Sequence, residues 1–509
     1  RDKEEDSMIR LNKETLRDKI YACWIGKNIG GTMGTPYEGT RELLDIQGFA
    51  TPSGVVLPND DLDLQLAWLL AMEEHGPYQL NAQILGEYWL AYVVPHWNEY
   101  GIGKGNMKVG LLPPLSGQYR NIWRDSNGAW IRSEVWACMA PGCPDAAVRY
   151  ALEDACVDHG MGEGTYAEFF TAAVESAAFV VQDLRELIEI GLSKIPPDCR
   201  VARSIRLAVE CYDKGVDWRK TRQLLMEDTA DLGWFEAPAN LAYVILGMLY
   251  GEGDFKKSMI LAINCGDDTD CTGATLGSLF GILNGTAGIP ADWRAHIGDE
   301  IVTISLNNDD RNFVKNCTEL TDHVFSMVPV VLKANRARVE LTDGPDTADS
   351  ADLAAFRDSS AAKKLWDRSG YSYTVDFIHA SARVEFDGNP VLAPGESLPV
   401  RIVFRNRMHE VKHLHIKLHL PEGFTASGRR DVYLTHQADR SAFTRNHELP
   451  EGYTNLASWT PTDAYLDNEA VWTAVITAGE QVESVNRIIA EVTCDGHPTV
   501  GLIPITILG

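Results

Sequence analysis

The hydrophobic residues of this chain change their spacing once, and that change constrains the fold more than any other feature. From about residue 14 to about 335, apolar residues recur every three or four positions, the spacing of helices with one buried face. Beyond about 371 the spacing falls to two, as in the segments that begin at Ala382 and Leu398. This alternation predicts half-buried strands. A helical part followed by a β part is therefore expected.

Three segments follow from this change of spacing. Residues 1–335 are predicted to form a large all-α domain and residues 371–509 an antiparallel β-sandwich. Between them, residues 336–370 are rich in Asp, Ala, Ser and Lys, which predicts a linker or an exposed helix. Further strands of the sandwich are expected near 411–420, 430–435, 470–477, 485–493 and 499–508.

The excess of acidic side chains limits the classes of partner. The chain has 72 Asp and Glu against 46 Lys and Arg, a net charge of −26 that would repel nucleic acid and anionic membranes. It has no run of about 18 apolar residues, the length needed to span a membrane. The polar start of the sequence lacks the apolar core of a signal peptide, and its 10 cysteines include no CxxC pair. A reduced, cytoplasmic protein is expected.

Two segments with a helical pattern carry a stripe of glycines at every fourth position. The stripes are Gly26, Gly30 and Gly34, and Gly273, Gly277, Gly281 and Gly285. A glycine inside a helix costs about 1 kcal/mol relative to alanine, so each stripe needs a physical reason. Close approach of two helix backbones is such a reason, although tight packing without any functional role would explain the stripes as well. A dinucleotide-binding GxGxxG loop is disfavoured because no strand precedes the first stripe.

Two acidic clusters open predicted helices beside these stripes. Residues 59–63 read Asn-Asp-Asp-Leu-Asp, and residues 267–270 read Asp-Asp-Thr-Asp. Either cluster alone would serve as a helix cap, but capping needs only one or two side-chain oxygens. If the stripes bring the two helices together, the clusters meet in an oxygen-rich environment suited to Mg²⁺, Mn²⁺ or Ca²⁺ rather than Zn²⁺. Two adjacent ions are expected, because a single divalent ion would leave much of the charge uncompensated.

With these motifs the sequence resembles the ADP-ribosylglycohydrolase superfamily over about residues 14–300. The resemblance rests on segments that match the superfamily pattern in order along the chain: Gly31–Glu38, Asn59–Leu62, Ser126–Ala129, Asp158–His159 and Asp267–Cys271. It implies an all-α fold with two Mg²⁺ or Mn²⁺ ions in a central cleft, and cleavage of a bond at an anomeric ribose carbon.

The resemblance also implies a set of metal ligands. These are Asn59, Asp60, Asp61, Asp268 and Asp270, with the Asn59 amide in place of a ligand threonine. Cys271 stands where the superfamily commonly has another ligand threonine, and a thiol is a poor Mg²⁺ ligand. Either Thr272 takes over that position or one metal has an altered ligand shell. Glu38 would lie at the cleft edge or on a metal.

Glycoside cleavage passes through an oxocarbenium-like state and uses carboxyl groups in two roles. Asp61 or Asp268 would orient a water molecule activated by the metals. The candidate acids are Glu38, Glu163 and Glu134, which the sequence does not rank. The residues expected to bind substrate are Asp63, Asn127, Gly128, Glu134 and His159, although a histidine beside a glycine-rich turn is equally consistent with a structural hydrogen bond. Five aromatic residues could form a surface that binds a sugar ring or could simply belong to the hydrophobic core: Trp97, Tyr100, Tyr119, Trp123 and Trp130.

The expected function is metal-dependent hydrolysis of a glycosidic bond in a small-molecule or oligosaccharide glycoside. The departures from the superfamily pattern and the added β-domain favour this over protein-linked ADP-ribose as substrate. An ADP-ribosyl hydrolase and a catalytically silent, crystallin-type scaffold remain as alternatives. The β-domain would cap the cleft, bind carbohydrate or mediate homo-oligomerisation.

One further pattern lies in the predicted β-domain. His413, His415, Lys417 and His419 alternate with apolar residues, which places them on one face of a strand. The pattern resembles a metal cluster, but a row of histidines with a lysine is more typical of a solvated face. No metal site is predicted there.

Overall fold

The computed structural model describes residues 8–307, 313–408, 410–434 and 469–509. These residues divide into two compact units. Unit 1 comprises the described residues up to Met107 and within Ser116–Arg368, and unit 2 comprises Lys108–Leu115 with the described residues within Ser369–Gly509. Unit 1 is helical and unit 2 is built of antiparallel sheets, which confirms the predicted order of an all-α part and a β part.

Helices and two short strands form unit 1, apart from the end of α4 and the first residue of α5, which belong to unit 2. The helices are α1 (Lys13–Gly34), α2 (Asp60–His75), α3 (Ala82–Tyr92), α4 (Asn98–Lys108), α5 (Leu115–Gln118), α6 (Glu134–Met139), α7 (Pro144–Ala155), α8 (Glu163–Ala178), α9 (Leu184–Ser193), α10 (Arg200–Asp213), α11 (Trp218–Asp228), α12 (Ala237–Tyr250), α13 (Phe255–Asn264), α14 (Thr269–Asn284), α15 (Ala291–Ile297), α16 (Cys317–Ala334), α17 (Ser350–Ala355) and α18 (Ser360–Trp366). No helix among the described residues is both long and apolar enough to cross a membrane.

Helices α1 and α14 form the centre of unit 1. From Ala22 to the end of α1 every residue is buried, and in α14 every residue up to Leu283 is buried. A helix that is apolar or small on all sides belongs in the interior of a large domain, with other helices packed around it. The two helices that carry the glycine stripes are therefore the buried core of this unit.

The segment 336–370, for which the sequence predicts a linker or an exposed helix, carries regular structure and belongs to unit 1 as far as Arg368. Strand β2 (Val339–Thr342) pairs in parallel with β1 (Ile9–Asn12), and α17 and α18 follow. Phe356 and Ala362 are buried, so apolar side chains anchor this segment to the helical body.

Unit 2 contains two antiparallel sheets. Its strands are β3 (Ser372–Phe377), β4 (Ala380–Glu385), β5 (Ser397–Asn406), β6 (Lys412–His419), β7 (Thr425–Gly428), β8 (Asp431–Leu434), β9 (Glu469–Thr477), β10 (Val485–Cys494) and β11 (Gly501–Leu508). The strand orders are β11-β10-β6-β8 and β3-β4-β5-β9-β7. The strands predicted at 411–420, 470–477, 485–493 and 499–508 are all present; residue 435, the end of the strand predicted at 430–435, lies outside the described residues.

An excursion of the chain, Lys108–Leu115, contributes to unit 2 although it lies inside the sequence of unit 1. The Thr506 hydroxyl in β11 donates a hydrogen bond of 2.8 Å to the Gly110 carbonyl. Leu111 and Leu115 in the excursion are both buried. Unit 2 is thus assembled from two separate stretches of sequence.

Candidate metal centre

Glycines let α1 and α14 approach within backbone contact. A Cβ atom on Gly26 would lie 2.0 Å from the Gly277 carbonyl oxygen, and one on Gly30 would lie 2.1 Å from the carbonyl carbon and oxygen of Gly273. At Gly34 the obstacle is the Thr269 carbonyl oxygen, at 2.2 Å. Any larger residue at these positions would push the helices apart. The stripes therefore set the distance between the two helices.

Gly285 has a different role from the other members of its stripe. It follows the last residue of α14 as the C-cap, with φ of +63°, a left-handed conformation that favours glycine. Gly281, one turn earlier, does belong to the packed stripe, because its Cβ would lie 2.2 Å from the Ala22 carbonyl oxygen.

The first acidic cluster occupies the N-terminus of α2. The Asn59 amide oxygen accepts a hydrogen bond of 2.8 Å from the Asp61 backbone N–H, so Asn59 is the N-cap. Asp61 is fully buried, and Asp60, which is half-buried, accepts a hydrogen bond of 2.9 Å from the Tyr100 hydroxyl. Gly31 makes room for the cap, since its Cβ would lie 1.8 Å from Asn59 Nδ2.

The second acidic cluster opens α14 and is held by a two-residue left-handed turn. Gly266 and Asp267 have φ of +78° and +61°, and the Asp267 N–H donates to the Thr40 carbonyl at 2.7 Å. This backbone bridge brings the loop that contains Glu38 to the start of α14. Asp268 is the N-cap of α14, and its Oδ2 accepts a hydrogen bond of 2.7 Å from Asn127 Nδ2.

The two clusters meet at one cleft of about 500 Å³. Its walls include Glu38, Asp60, Asp268, Asp270 and Cys271. Two groups of potential ligand atoms lie within 4.8 Å of one another: one is formed by Asp61, Asp270 and Cys271, and the other by Glu38, Asp268 and Asp270. Asp270 belongs to both groups, so it would help to hold a cation bound at either one.

Each of three carboxylates in these two groups has one buried oxygen without a hydrogen-bond partner among the described residues. Asp61 Oδ2, Asp268 Oδ1 and Asp270 Oδ1 are buried and accept no hydrogen bond from any residue that the structure describes. Burial, despite Lys27 and with help from the neighbouring carboxylates, raises the pKa of Asp61 well above its usual range, and burial and Asp268 do the same for Asp270. Orphaned, mutually repelling carboxylate oxygens are the donor set that a hard divalent cation satisfies. The residues present therefore fit Mg²⁺ or Mn²⁺.

Cys271, and not Thr272, faces this centre. The Thr272 hydroxyl is buried and donates to the Thr269 carbonyl at 3.2 Å, and Thr272 does not line the cleft; this placement favours the other expectation, an altered ligand shell for one metal. The Cys271 thiol instead lies 3.6 Å from Asp61 Oδ1. Burial and the surrounding aspartates raise its pKa well above the usual value, which keeps it a neutral thiol in the absence of a cation.

Of the three carboxyl groups proposed as the acid, only Glu38 lines the cleft. Although its side chain is open to solvent, partial burial of the carboxyl group and the proximity of Asp270 and Asp60 raise its pKa to about 8. Glu134 is fully buried and forms an ion pair of 2.7 Å with Lys27. Glu163 accepts hydrogen bonds of 2.9 Å from the backbone N–H groups of Arg200 and Val201, which cap α10.

Only some of the residues predicted to bind substrate line the cleft. Asn127 and Gly128 line the cleft. Asp63 and His159 are fully buried away from its lining: Asp63 Oδ2 accepts from the backbone N–H groups of Ile304 and Ser305. The two ring nitrogens of His159 face Asp158 Oδ1 at 2.9 Å and the Ser126 hydroxyl at 3.1 Å. Both contacts are those of a structural hydrogen-bonding histidine, and substrate binding by His159 stays a prediction.

Sequence reasoning missed Glu99, which is 5% exposed and lines the cleft from α4. Its Oε2 is buried without a hydrogen-bond partner among the described residues, and burial raises its pKa to about 7. Gly128 is small for this reason, because a Cβ there would lie 2.3 Å from Glu99 Oε1. The only signal in the sequence was its position between Trp97 and Tyr100, which were singled out as aromatic residues.

The aromatic lining of the cleft combines predicted and unpredicted residues. Trp97 and Tyr100 line it as expected, together with Trp234 and Phe235. Trp130 is fully buried and donates to Asn127 Oδ1 at 2.9 Å, so it positions a residue of the cleft wall. Trp97 is 47% exposed, which leaves an aromatic surface available to a sugar ring.

Comparison with known proteins gives a family match over the helical region. The sequence profile of the ADP-ribosylglycohydrolase family matches residues 12–323. Among solved structures, an ADP-ribosylglycohydrolase-related protein complex is similar at 18% identity, covering 62% of this chain and 99% of that chain with a TM-score of 0.43. Two further structures are similar over shorter stretches. A FixG-related protein from Vibrio parahaemolyticus has 8% identity and a TM-score of 0.18, covering 26% of this chain and 97% of that chain. The GAE domain of GGA2p from Saccharomyces cerevisiae has 8% identity and a TM-score of 0.17, covering 27% of this chain and 96% of that chain. No curated protein gives a significant match.

Proposed function

Since this chain belongs to the ADP-ribosylglycohydrolase family, we propose that it is a hydrolase that uses two divalent cations, Mg²⁺ or Mn²⁺, to cleave the glycosidic bond of a ribosyl-like or other glycosyl group. The substrate class that we propose is a small-molecule or oligosaccharide glycoside. The observation that carries this proposal is the meeting of carboxylates from α2 and α14 at a single cleft: Asp60, Asp268 and Asp270 line it, and Asp61 forms a group of potential ligands with Asp270.

Asp60, Asp61, Asp268 and Asp270 are the carboxylates that would hold the cations, with Glu38 and Cys271 beside them. When bound, divalent cations polarise oxygen atoms and lower the pKa of water. Asn127 fixes the orientation of Asp268 through its hydrogen bond of 2.7 Å, and Tyr100 fixes that of Asp60. Both ligands are thereby oriented before substrate enters, which is what efficient catalysis requires.

Carboxylate charge that the cations leave uncompensated would also stabilise the substrate as its anomeric carbon becomes positive. Carboxylates in a partly dry cleft lower the energy of an oxocarbenium-like state more than they would in water. The face of Trp97 offers apolar contact to the sugar ring, and Asn127 and Gly128 lie in the same wall.

Two carboxyl groups of the cleft could donate the proton that the leaving group needs. Glu38 belongs to one group of ligand carboxylates, and cations bound there would draw it into their coordination shell. Glu99 lies outside both groups, and burial raises its pKa to about 7, which leaves a fraction of it protonated at neutral pH. We therefore assign the acid to Glu99 and the cation shell to Glu38.

Kinetics with leaving groups of different basicity test this assignment. Glu99→Gln should lower kcat strongly for alkyl glycosides and much less for activated aryl glycosides, while metal content stays constant. Glu38→Gln should lower the affinity for the metal, and at limiting metal concentration it should lower the rate for every substrate. Glu163→Gln, which does not alter the cleft lining, is the control and should keep the parent's metal content and its ratio of rates for the two leaving groups. Equal losses for both leaving groups in Glu99→Gln would refute its role as acid.

A substrate screen separates the proposed function from its alternatives. Aryl furanosides and pyranosides are compared with ADP-ribosyl-arginine and ADP-ribosyl-serine peptides, with and without EDTA. Turnover of aryl glycosides that EDTA abolishes supports the proposal, whereas turnover of the peptides alone identifies an ADP-ribosyl hydrolase, the activity that the family match itself favours. Metal binding with no turnover of any substrate would identify a catalytically silent scaffold.

A further inference from the structure

The histidine face of β6 acquires partners that the sequence did not reveal. Leu414 and Ile416 point into unit 2 and are buried, so His413 and His415 lie on the opposite face, as the alternation predicts. Strand β10 runs antiparallel beside β6, and Asp495 follows its last residue directly. The face is open to solvent, as the pattern predicts, but a carboxylate lies between two of its histidines.

The distances around this carboxylate are short. His413 Nδ1 lies 2.9 Å from Asp495 Oδ2, and His415 Nε2 lies 2.9 Å from Asp495 Oδ1. The two imidazole ring centres are 4.3 Å apart. One ligand atom from each of the three residues can be chosen so that all lie within 4.8 Å of one another.

We propose that His413, His415 and Asp495 form a binding site for Zn²⁺ or a similar transition-metal ion on unit 2. Zinc bonds to histidine nitrogen and carboxylate oxygen are about 2.0–2.2 Å long, so an ion fits among these atoms with small rotations of the side chains. Two imidazoles and one carboxylate select zinc, nickel, copper or cobalt over magnesium. Three protein ligands with a water molecule in the fourth position make up a common open zinc site.

The surroundings of His413 support a metal ligand. If Nδ1 binds the ion, Nε2–H is free to donate to Asp431 Oδ2, which lies 2.9 Å away on β8. Such a carboxylate behind a ligand histidine fixes its tautomer and strengthens its bond to the metal. The ring of Tyr433 stacks on the His413 ring, with centres 4.4 Å apart and planes 13° apart.

The backbone fixes the third ligand. The Asp495 N–H donates a hydrogen bond of 3.1 Å to the carbonyl of His413, the residue whose side chain its carboxylate faces. The three ligands are thus held by strand pairing and require little reorganisation on binding. The side chains of His413 and His415 are 23% and 46% exposed, so an ion can reach them from solvent.

Ion pairing between protonated histidines and Asp495, with no metal, is the competing explanation of the same contacts. The two explanations differ in a measurable way, because a metal site takes up zinc at neutral pH and releases protons as it does so. His419 provides the matched control. It lies on the same face, is 47% exposed and faces Glu491 at 2.7 Å, but it does not belong to the cluster.

The test is a titration of the full-length protein with zinc, measured by isothermal calorimetry. Saturating Mg²⁺ is present to occupy the oxygen-rich cleft. One zinc equivalent is expected in the parent and in His419→Ala, and none at that site in the double variant His413→Ala/His415→Ala. Asp431→Asn should weaken zinc binding about 10–100-fold. Replacement of Zn²⁺ by Co²⁺ should give the intense visible absorption of a four-coordinate ion in the parent and in His419→Ala, but not in the double variant.

Two results would overturn the inference. The first is an unchanged zinc equivalent in a double variant whose circular dichroism matches that of the parent. The second is loss of the equivalent in Asp270→Asn, which would assign the zinc to the cleft of unit 1. Neither result depends on whether the protein hydrolyses glycosides, so failure here leaves the proposed function untouched.

Discussion

Gly30→Ala tests directly whether the approach of α1 and α14 builds the cleft. A Cβ on Gly30 would lie 2.1 Å from the carbonyl carbon of Gly273, whereas ordinary contacts begin at 3.4 Å, so the backbones must separate by about 1.3 Å. The nearest atoms are all backbone, and no side chain can rotate away. Overpacking of this kind costs about 3 kcal/mol and alanine recovers about 1 kcal/mol of helix propensity, which leaves a loss of about 2 kcal/mol.

Gly105→Ala is the matched control, since it makes the same change in another helix. Gly105 lies on α4 with open space around the position of its Cβ. Alanine there should stabilise the protein by about 0.5–1 kcal/mol through backbone entropy alone. Urea unfolding followed by circular dichroism, in EDTA, gives the free energy of unfolding of both variants and of the parent.

The displacement in Gly30→Ala should also move residues of the cleft. Gly30 lies one turn before Gly34, and Gly34 contacts Thr269, the residue before Asp270. A shift of about 1 Å in a ligand position is enough to cost about 100-fold in rate, and Mn²⁺ affinity measured by calorimetry should fall with it. If Gly30→Ala proves as stable as Gly105→Ala and binds Mn²⁺ as tightly as the parent, the glycine stripes do not set the site and this reasoning is refuted.

Three more predictions follow from the charges in the interior. Asp270→Asn should remove most bound Mn²⁺, measured by elemental analysis, and should raise the melting temperature in EDTA because it removes a repelling carboxylate; unchanged metal content would contradict the ligand assignment. Burial raises the pKa of Asp268 to about 7, above its unfolded value, so the metal-free protein should lose about 2–3 kcal/mol from this group as pH rises from 5 to 8, and Mg²⁺ should restore it; equal urea midpoints at both pH values in EDTA would count against this. Lys27→Met should destabilise the protein by about 3–5 kcal/mol because it leaves the buried Glu134 without its counter-ion, and Lys27→Met/Glu134→Met should recover most of the loss in urea unfolding; a single variant as stable as the double one would be the contrary result.

The meeting of the two acidic clusters could be predicted because its determinants are local. Gly30 and Gly273 each lie in a stripe that can be recognised within a single helix. Asp60 and Asp270 lie at the start of helices whose N-caps can be recognised in the sequence. Helical period, glycine spacing and capping chemistry are properties of neighbouring residues. They fix which helices pack closely and which ends come together.

Which of the carboxylates lie at the cleft could not be predicted, because this depends on partners that are far away in the sequence. Asp63 lies one turn beyond Asp60, yet it is engaged by the backbone of Ile304 and Ser305, more than two hundred residues away. Glu134 is matched to Lys27 across the core, a pairing with no signature in either segment. Glu99 is in the cleft only because the chain returns there after α3. Position along a helix constrains the face of a side chain but not what lies opposite.

The excursion Lys108–Leu115 has a consequence for how this protein can be engineered and how it could have evolved. A shortened chain that stops at Arg368 would retain the excursion but lose Thr506, the residue whose hydroxyl binds the Gly110 carbonyl. Leu111 and Leu115, each 1% exposed, would be at risk of meeting water. Removal or transfer of the β unit at a single breakpoint near Arg368, whether by design or by recombination, therefore leaves Lys108–Leu115 of that unit within the helical sequence.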